Sequence, residues 1–186
     1  MILPIVGYGH PALRKRAEPI GPEYPGLAEL IQNMYDTMYN AQGVGLAAPQ
    51  IGLAVRLFIV DGSPIEEKGA ESLKDFKQVF LNPELLEETG DEWAYDEGCL
   101  SIPDLREKVI RRRVIRLRYQ TEAFETREER FDGMRARIIQ HEYDHLEGVL
   151  FTDRVSSLRK QLLKPVLKRI SQGQVDCGYP MKFSRR

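Results

Sequence analysis

The chain has 186 residues, 42% of them hydrophobic and 30% charged, with a formal net charge of −1 at pH 7. That length suits a single domain over residues 1–186 with a buried core of its own. No stretch approaches the roughly 20 apolar residues of a membrane-spanning helix, and a near-neutral charge gives no overall reason to expect DNA or membrane binding. Cys99 and Cys177 are too few for a disulfide framework; thiols kept reduced point to a cytoplasmic protein, where a Cys near His residues more often serves as ligand or nucleophile.

At the N-terminus, Pro4, Gly7 and Pro11 interrupt the short apolar run, and no basic segment precedes it, so a secretory layout is not expected. Leu27, Leu30, Ile31, Met34 and Met38 then recur at helical spacing and predict an amphipathic helix over about Gly26 to Asn40, with both methionines in the core. Strands are predicted at Arg56 to Asp61, Gln78 to Pro83 and Val114 to Gln120. The polar segment from Gly62 to Asp75, with Glu66, Glu67 and Lys68, reads as a surface loop.

In the third strand Ile115, Leu117 and Tyr119 alternate with Arg116, Arg118 and Gln120, so one face is buried and one is wet. The run Arg111, Arg112 and Arg113 is read as a solvated strand face, because no aromatic platform for nucleic-acid bases accompanies it. A second helix should span about Gly133 to Glu147. A third should span about Val155 to Ser171, carrying Leu158, Leu162, Leu163, Val166 and Ile170 and kinked at Pro165. The pattern is an α+β fold: antiparallel sheets around one central helix, with further helices toward both ends of the chain.

The chemistry concentrates on the second helix, in QHEYDHLEG, Gln140 to Gly148. His141 and His145 lie one helical turn apart on the same face, so two imidazoles can share one cation. Glu142, beside the first of them, completes an HExxH pattern in which the Glu acts as general base toward a metal-activated water. A catalytic metal site needs a third protein ligand and an open position. Cys99, in EGCLSIP after the permissive Gly98, is the candidate. A thiolate with two imidazoles suits Zn²⁺ or Fe²⁺ rather than Mg²⁺ or Ca²⁺. His10 is read as structural, and Cys177, in the polar tail, as an incidental thiol.

Earlier in the chain stands GVGLAAPQ, Gly43 to Gln50. Its glycines permit close approach by another group, and Gln50 supplies a neutral carboxamide able to donate to a developing oxyanion.

GVGLAAPQ, EGCLS and QHEYDH, in this order and separation, closely resemble the three signature motifs of the peptide deformylases, and ILPIVGYGHPALRKRA resembles the family's N-terminal segment. The resemblance implies hydrolysis of the N-formyl group from the initiator methionine of nascent chains, with release of formate. It implies that Cys99, His141 and His145 bind Fe²⁺, with Zn²⁺, Ni²⁺ or Co²⁺ able to substitute. Glu142 would be the catalytic base and acid, and Gln50 with the Leu100 N–H would form the oxyanion hole. The substrate side would comprise Val44 and Gly45 along the peptide groove, Ile138 at the methionine slot, and Glu97 as a structural member of its motif paired with Arg106. Arg137 is less expected beside Ile138; its stem should pack at the slot while its guanidinium reaches water.

Two other classes stay open: a metallopeptidase, which would cleave internal peptide bonds, and a structural-metal protein in which Glu142 has no catalytic part. From Arg154 onward the charged residues are Arg154, Arg159, Lys160, Lys164, Lys168, Arg169, Lys182, Arg185 and Arg186 against Asp176. A basic C-terminal helix and tail over 154–186 would suit docking on ribosomal RNA.

Overall fold

The computed structural model describes residues 1–65 and 73–184. Three α-helices stand among them: α1 (Leu27–Asn40), α2 (Gly133–Leu146) and α3 (Ser157–Ser171). Strands β2 (Gly45–Ala47), β3 (Leu57–Asp61), β4 (Lys77–Cys99), β5 (Ile102–Gln120) and β6 (Thr126–Asp132) form one sheet in the order β2-β3-β4-β5-β6, antiparallel at every step. Near the two ends of the chain, β1 (Ile5–Val6) pairs in parallel with β7 (Met181–Lys182). The α+β expectation and all three predicted helices agree with this architecture.

Strand β3 shows why the sheet carries helices on both faces. All of its residues are buried, and alternation sends successive side chains opposite ways. Leu57 and Ile59 join Ile31, Met34 and Met38 of α1 in one apolar cluster. Phe58 and Val60 join Phe80, Leu117, Phe131 and, from α2, Ala136, Ile138 and Ile139 in another. Helix α2 is thereby held against the sheet along most of its length, which fixes the polar side chains it carries.

The two later strand predictions cover only parts of what forms. Gln78 to Pro83 is the start of β4, and Val114 to Gln120 is the end of β5; the pairing between these strands continues to a tight turn at Leu100 and Ser101. The added length is polar, and its register sets Glu84 opposite Arg118, Glu87 opposite Arg116 and Glu92 opposite Arg112. Such exposed cross-strand pairs contribute about 0.2–1 kcal/mol each.

The run at Arg111 to Arg113 requires a correction. Arg112 and Arg113 are exposed, but Arg111 is buried, because it shares the inward parity of Val109, Ile115 and Leu117 along β5. Helix α3 runs continuously through Pro165. It buries Leu163, Leu167 and Ile170 against Ile102, Val109 and Phe151, whereas Leu158 and Leu162 face solvent. His10 caps a short 3₁₀ turn by accepting the Ala12 N–H, a structural role as expected. Of the predicted polar loop, residues 66–72, including Glu66, Glu67 and Lys68, lie outside the described residues, as do Arg185 and Arg186. Among the described residues no helix is long and apolar enough to cross a membrane.

Candidate active site

Three segments distant in sequence meet at one cavity of about 700 Å³. The residues after α1 supply Gly43, Val44, Gly45 and Gln50; the end of β4 supplies Glu97, Cys99 and Leu100; α2 supplies Arg137, Ile138, His141 and Glu142. His145 lies one turn further along α2, and its Nε2 is 3.3 Å from Cys99 Sγ. The donor atoms of Cys99, His141 and His145 all lie within 4.8 Å of one another.

This donor set fits a metal ion. With metal–sulfur and metal–nitrogen bonds of about 2.3 and 2.1 Å, donors sharing one tetrahedral ion sit roughly 3.6 Å apart. His141 Nδ1 is 2.9 Å from Glu97 Oε2. Facing a carboxylate, Nδ1 must carry the proton and donate it, which leaves the lone pair on Nε2 for a cation. Glu142 Oε2, alongside, is buried without a hydrogen-bond partner among the described residues, an orphaned acceptor next to the cluster.

Behind His141 stands a group of buried charges. Arg111 donates to Glu97 from Nε (2.7 Å) and Nη2 (2.9 Å), and to Asp144 from Nη1 (2.8 Å). Arg137 donates from Nη1 to Glu97 Oε1 (2.8 Å) and to the Val109 carbonyl (2.9 Å), and from Nη2 to the Trp93 carbonyl (2.7 Å). Its guanidinium lies 4.3 Å from the Trp93 ring centroid. Asp144 also accepts from Arg154. Burial alone would push the Glu97 carboxyl up, but hydrogen bonds from Arg111 and His141 hold it well below the usual carboxylate range. Three arginines thus converge on two buried carboxylates, Glu97 and Asp144.

Two expectations fail here. Glu97 does not pair with Arg106, whose Nη2 donates instead to the Asp96 carbonyl (2.9 Å); the partners of Glu97 are Arg111, Arg137 and His141. Nor does the Arg137 guanidinium reach water: it is turned inward, because Glu97 and two backbone carbonyls offer it better partners than a wet exit would. Both arginines were within reach of sequence reasoning. Arg111 follows from extending the Ile115, Leu117 and Tyr119 alternation backward, and Arg137 from lying one helical turn before His141.

Gln50 is buried and held at one end, its Oε1 accepting the Ala47 N–H at 2.9 Å. Its Nε2 is thereby aimed inward, 3.5 Å from Cys99 Sγ and 3.4 Å from Ser101 Oγ. The glycines before it are explained by close approach: a Cβ on Gly45 would lie 2.4 Å from Glu142 Oε1, and one on Gly43 would lie 2.8 Å from Leu100 Cδ1. Burial pushes the Glu142 carboxyl up to about 7, the range in which a carboxyl both takes and returns a proton at neutral pH. Cys177, read as incidental, stands on the wall of this same cavity with Asp176, Gly178 and Tyr179.

A Cys–His–His set that could hold a metal ion thus stands with a buried Glu beside it, and comparison with known proteins supplies the family. The family model described as polypeptide deformylase matches residues 2–161. A peptide deformylase of Flavobacterium johnsoniae is 54% identical, covering 99% of this chain and 97% of that one. That of Christiangramia forsetii is 53% identical, covering 98% and 96%. The crystal structure of a peptide deformylase from Legionella pneumophila superimposes with a TM-score of 0.80 at 34% identity, covering 94% of this chain and 98% of that one. The chain belongs to the polypeptide deformylase family. Membership makes it an enzyme that removes the N-formyl group from nascent peptides, and it implies a metal ion.

Proposed function

We propose that Cys99, His141 and His145 hold the metal, with Fe²⁺ as the resident ion and Zn²⁺, Ni²⁺ or Co²⁺ as substitutes, and that Glu142 is the general base and acid of deformylation. The observation that carries this reading is the convergence of those three donors within 4.8 Å, with Glu142 packed on Gly45 beside them. When bound, the ion supplies Lewis acidity that makes water reactive at neutral pH. Glu142 accepts the proton of the attacking water and later delivers it to the departing methionine amine. Gln50 Nε2 and the Leu100 N–H donate to the formyl oxygen as it gains negative charge, favouring the transition state over the ground state.

The substrate reads onto the groove in the same way. Strand β2 is an edge strand of the sheet, so the backbone at Val44 and Gly45 offers an extended peptide a strand to pair with. Ile138, buried on the cavity wall, lines the methionine side. Residues 1–186 act as one catalytic domain in the cytoplasm. The basic helix α3 and the tail dock on ribosomal RNA through Lys160, Lys164, Lys168 and Arg169, since Arg154 and Arg159 are engaged by Asp144 and Glu107. Salt-sensitive co-sedimentation with ribosomes, lost when those four residues become Glu, is the result expected.

The test of the catalytic reading is anaerobic formate release from formyl-Met-Ala-Ser by the Fe²⁺-loaded protein, with acetyl-Met-Ala-Ser as control. Glu142→Ala should keep its metal and lose at least about 10²-fold in kcat. Full activity in that variant would sink the assignment, and cleavage of the Met-Ala bond would promote a peptidase.

A further inference from the structure

We propose that Tyr179, on the C-terminal tail, is a positioning residue that fixes the Leu100 turn, so that the tail completes the active site. The inference rests on reading the Leu100 N–H as an oxyanion donor. Tyr179 lies beyond the residues 2–161 matched by the family model, so nothing in that match assigns it a part.

The tail returns to the cavity by an identifiable route. After α3 the chain turns at Gly173, where φ is +73°, and Asp176 to Tyr179 then form a wall of the cavity that Cys99 and Glu142 line from other sides. Beyond them β7 is tied to the N-terminal segment: Ile5 N donates to the Pro180 carbonyl (2.9 Å) and Gly7 N to the Lys182 carbonyl (2.9 Å). The two ends of the chain are thus joined to each other next to the site.

From that joint each end reaches the same turn. The Tyr179 hydroxyl donates to the Leu100 carbonyl at 2.8 Å, and the Tyr8 N–H donates to the Ser101 carbonyl at 2.8 Å. Leu100 and Ser101 are the two residues between Cys99 and Ile102, which face each other in the β4–β5 register. The register shifts between Gly98 and Cys99, so around planar peptides the dihedrals of Cys99, Leu100 and Ser101 are left to be set by other contacts. Anchoring both carbonyls restrains those rotations, and with them the neighbouring Cys99–Leu100 peptide that carries the Leu100 N–H. The Tyr179 ring packs, with Leu100, against the cluster that holds α1 to the sheet, so the hydroxyl is aimed from a fixed base.

The experiment compares the full-length, metal-loaded wild type with Tyr179→Phe, which keeps the ring and removes only the hydroxyl. Loss of one neutral hydrogen bond should lower kcat for formyl-Met-Ala-Ser by about three- to tenfold, while KM stays within roughly twofold. A role confined to stability would instead lower the unfolding midpoint and leave kcat unchanged; that outcome overturns the proposal. Gln50→Ala is run in parallel and should cost about 10²-fold in kcat. If Gln50→Ala loses rate and Tyr179→Phe does not, the positioning role alone falls. If Gln50→Ala is silent, the oxyanion reading falls and takes the Tyr179 role with it.

Discussion

Glu97 Oε2 lies 2.9 Å from His141 Nδ1, and the same carboxylate is gripped from behind by Arg111 through bonds of 2.7 and 2.9 Å. The chain therefore orients the His141 ring, with Nδ1 toward Glu97, before any cation arrives. Glu97→Gln keeps the shape but removes the charge that Arg111 and Arg137 were placed to meet. Metal affinity should fall about 10- to 100-fold, and stability by about 3 kcal/mol, as for a broken buried ion pair. Chelator competition and urea unfolding of the metal-free protein measure the two effects separately. Unchanged metal affinity would show that the contact does not orient the ligand.

Gly45 makes a prediction about catalysis without metal loss. A methyl group there would stand 2.4 Å from Glu142 Oε1 and 2.8 Å from its Cδ, so the carboxylate must swing aside. Displacement by about 1 Å of a group that handles the transferring proton costs on the order of 10²-fold. Gly45→Ala should retain its metal and its fold while kcat falls by that factor. Wild-type turnover in the variant would mean that Glu142 acts from another position.

Gly148 tests the fold alone. Its φ is +72°, and an added Cβ would meet the Arg14 carbonyl oxygen at 2.7 Å and its carbon at 2.9 Å, both backbone atoms that cannot rotate away. Gly148→Ala should cost about 2–3 kcal/mol through left-handed strain and the clash. For a chain of this size that lowers the unfolding midpoint by roughly 5–10 °C. Calorimetry showing no change would mean that the N-terminal segment moves off freely.

The sequence made some features plain and hid others for physical reasons. Helix α2 and its His pair were legible because helical spacing and ligand spacing coincide, and β3 because four successive residues, Leu57 to Val60, are apolar enough to be buried on both faces. Most of the β4–β5 hairpin was not legible: Glu-rich and Arg-rich stretches carry no apolar period, and only pairing across strands makes sense of them. The inward positions of Arg111 and Arg137 follow from strand and helix spacing, but their charges misled for a related reason. A charge is assigned to solvent unless its partner is known, and Glu97 lies distant in sequence from both. The role of the tail was invisible, since a hydroxyl reaching the Leu100 carbonyl leaves no local pattern.

Asp61 supplies a pH dependence away from the metal cluster. It accepts the Tyr39 hydroxyl at 2.6 Å and the Ser63 N–H at 3.0 Å, and the Lys77 ammonium stands 4.6 Å from the Tyr35 ring and 5.5 Å from the Tyr39 ring. Burial raises its pKa, but hydrogen bonds from Ser63 and Tyr39, with the nearby Lys77 charge, outweigh burial and leave it below its ordinary value. A depressed carboxylate means that the unfolded chain takes up the proton first as pH falls. Its stabilising contribution is therefore complete above the ordinary Asp pKa and is lost as pH drops through the folded value. Asp61→Asn, with no charge to titrate, should be less stable than wild type at pH 7 by about 1–2 kcal/mol. That gap should narrow below about pH 4. Urea unfolding of both proteins between pH 7 and pH 3 decides the matter, because acid effects elsewhere cancel in the difference. A gap that stays constant across the range would mean that Asp61 contributes through its shape and not its charge.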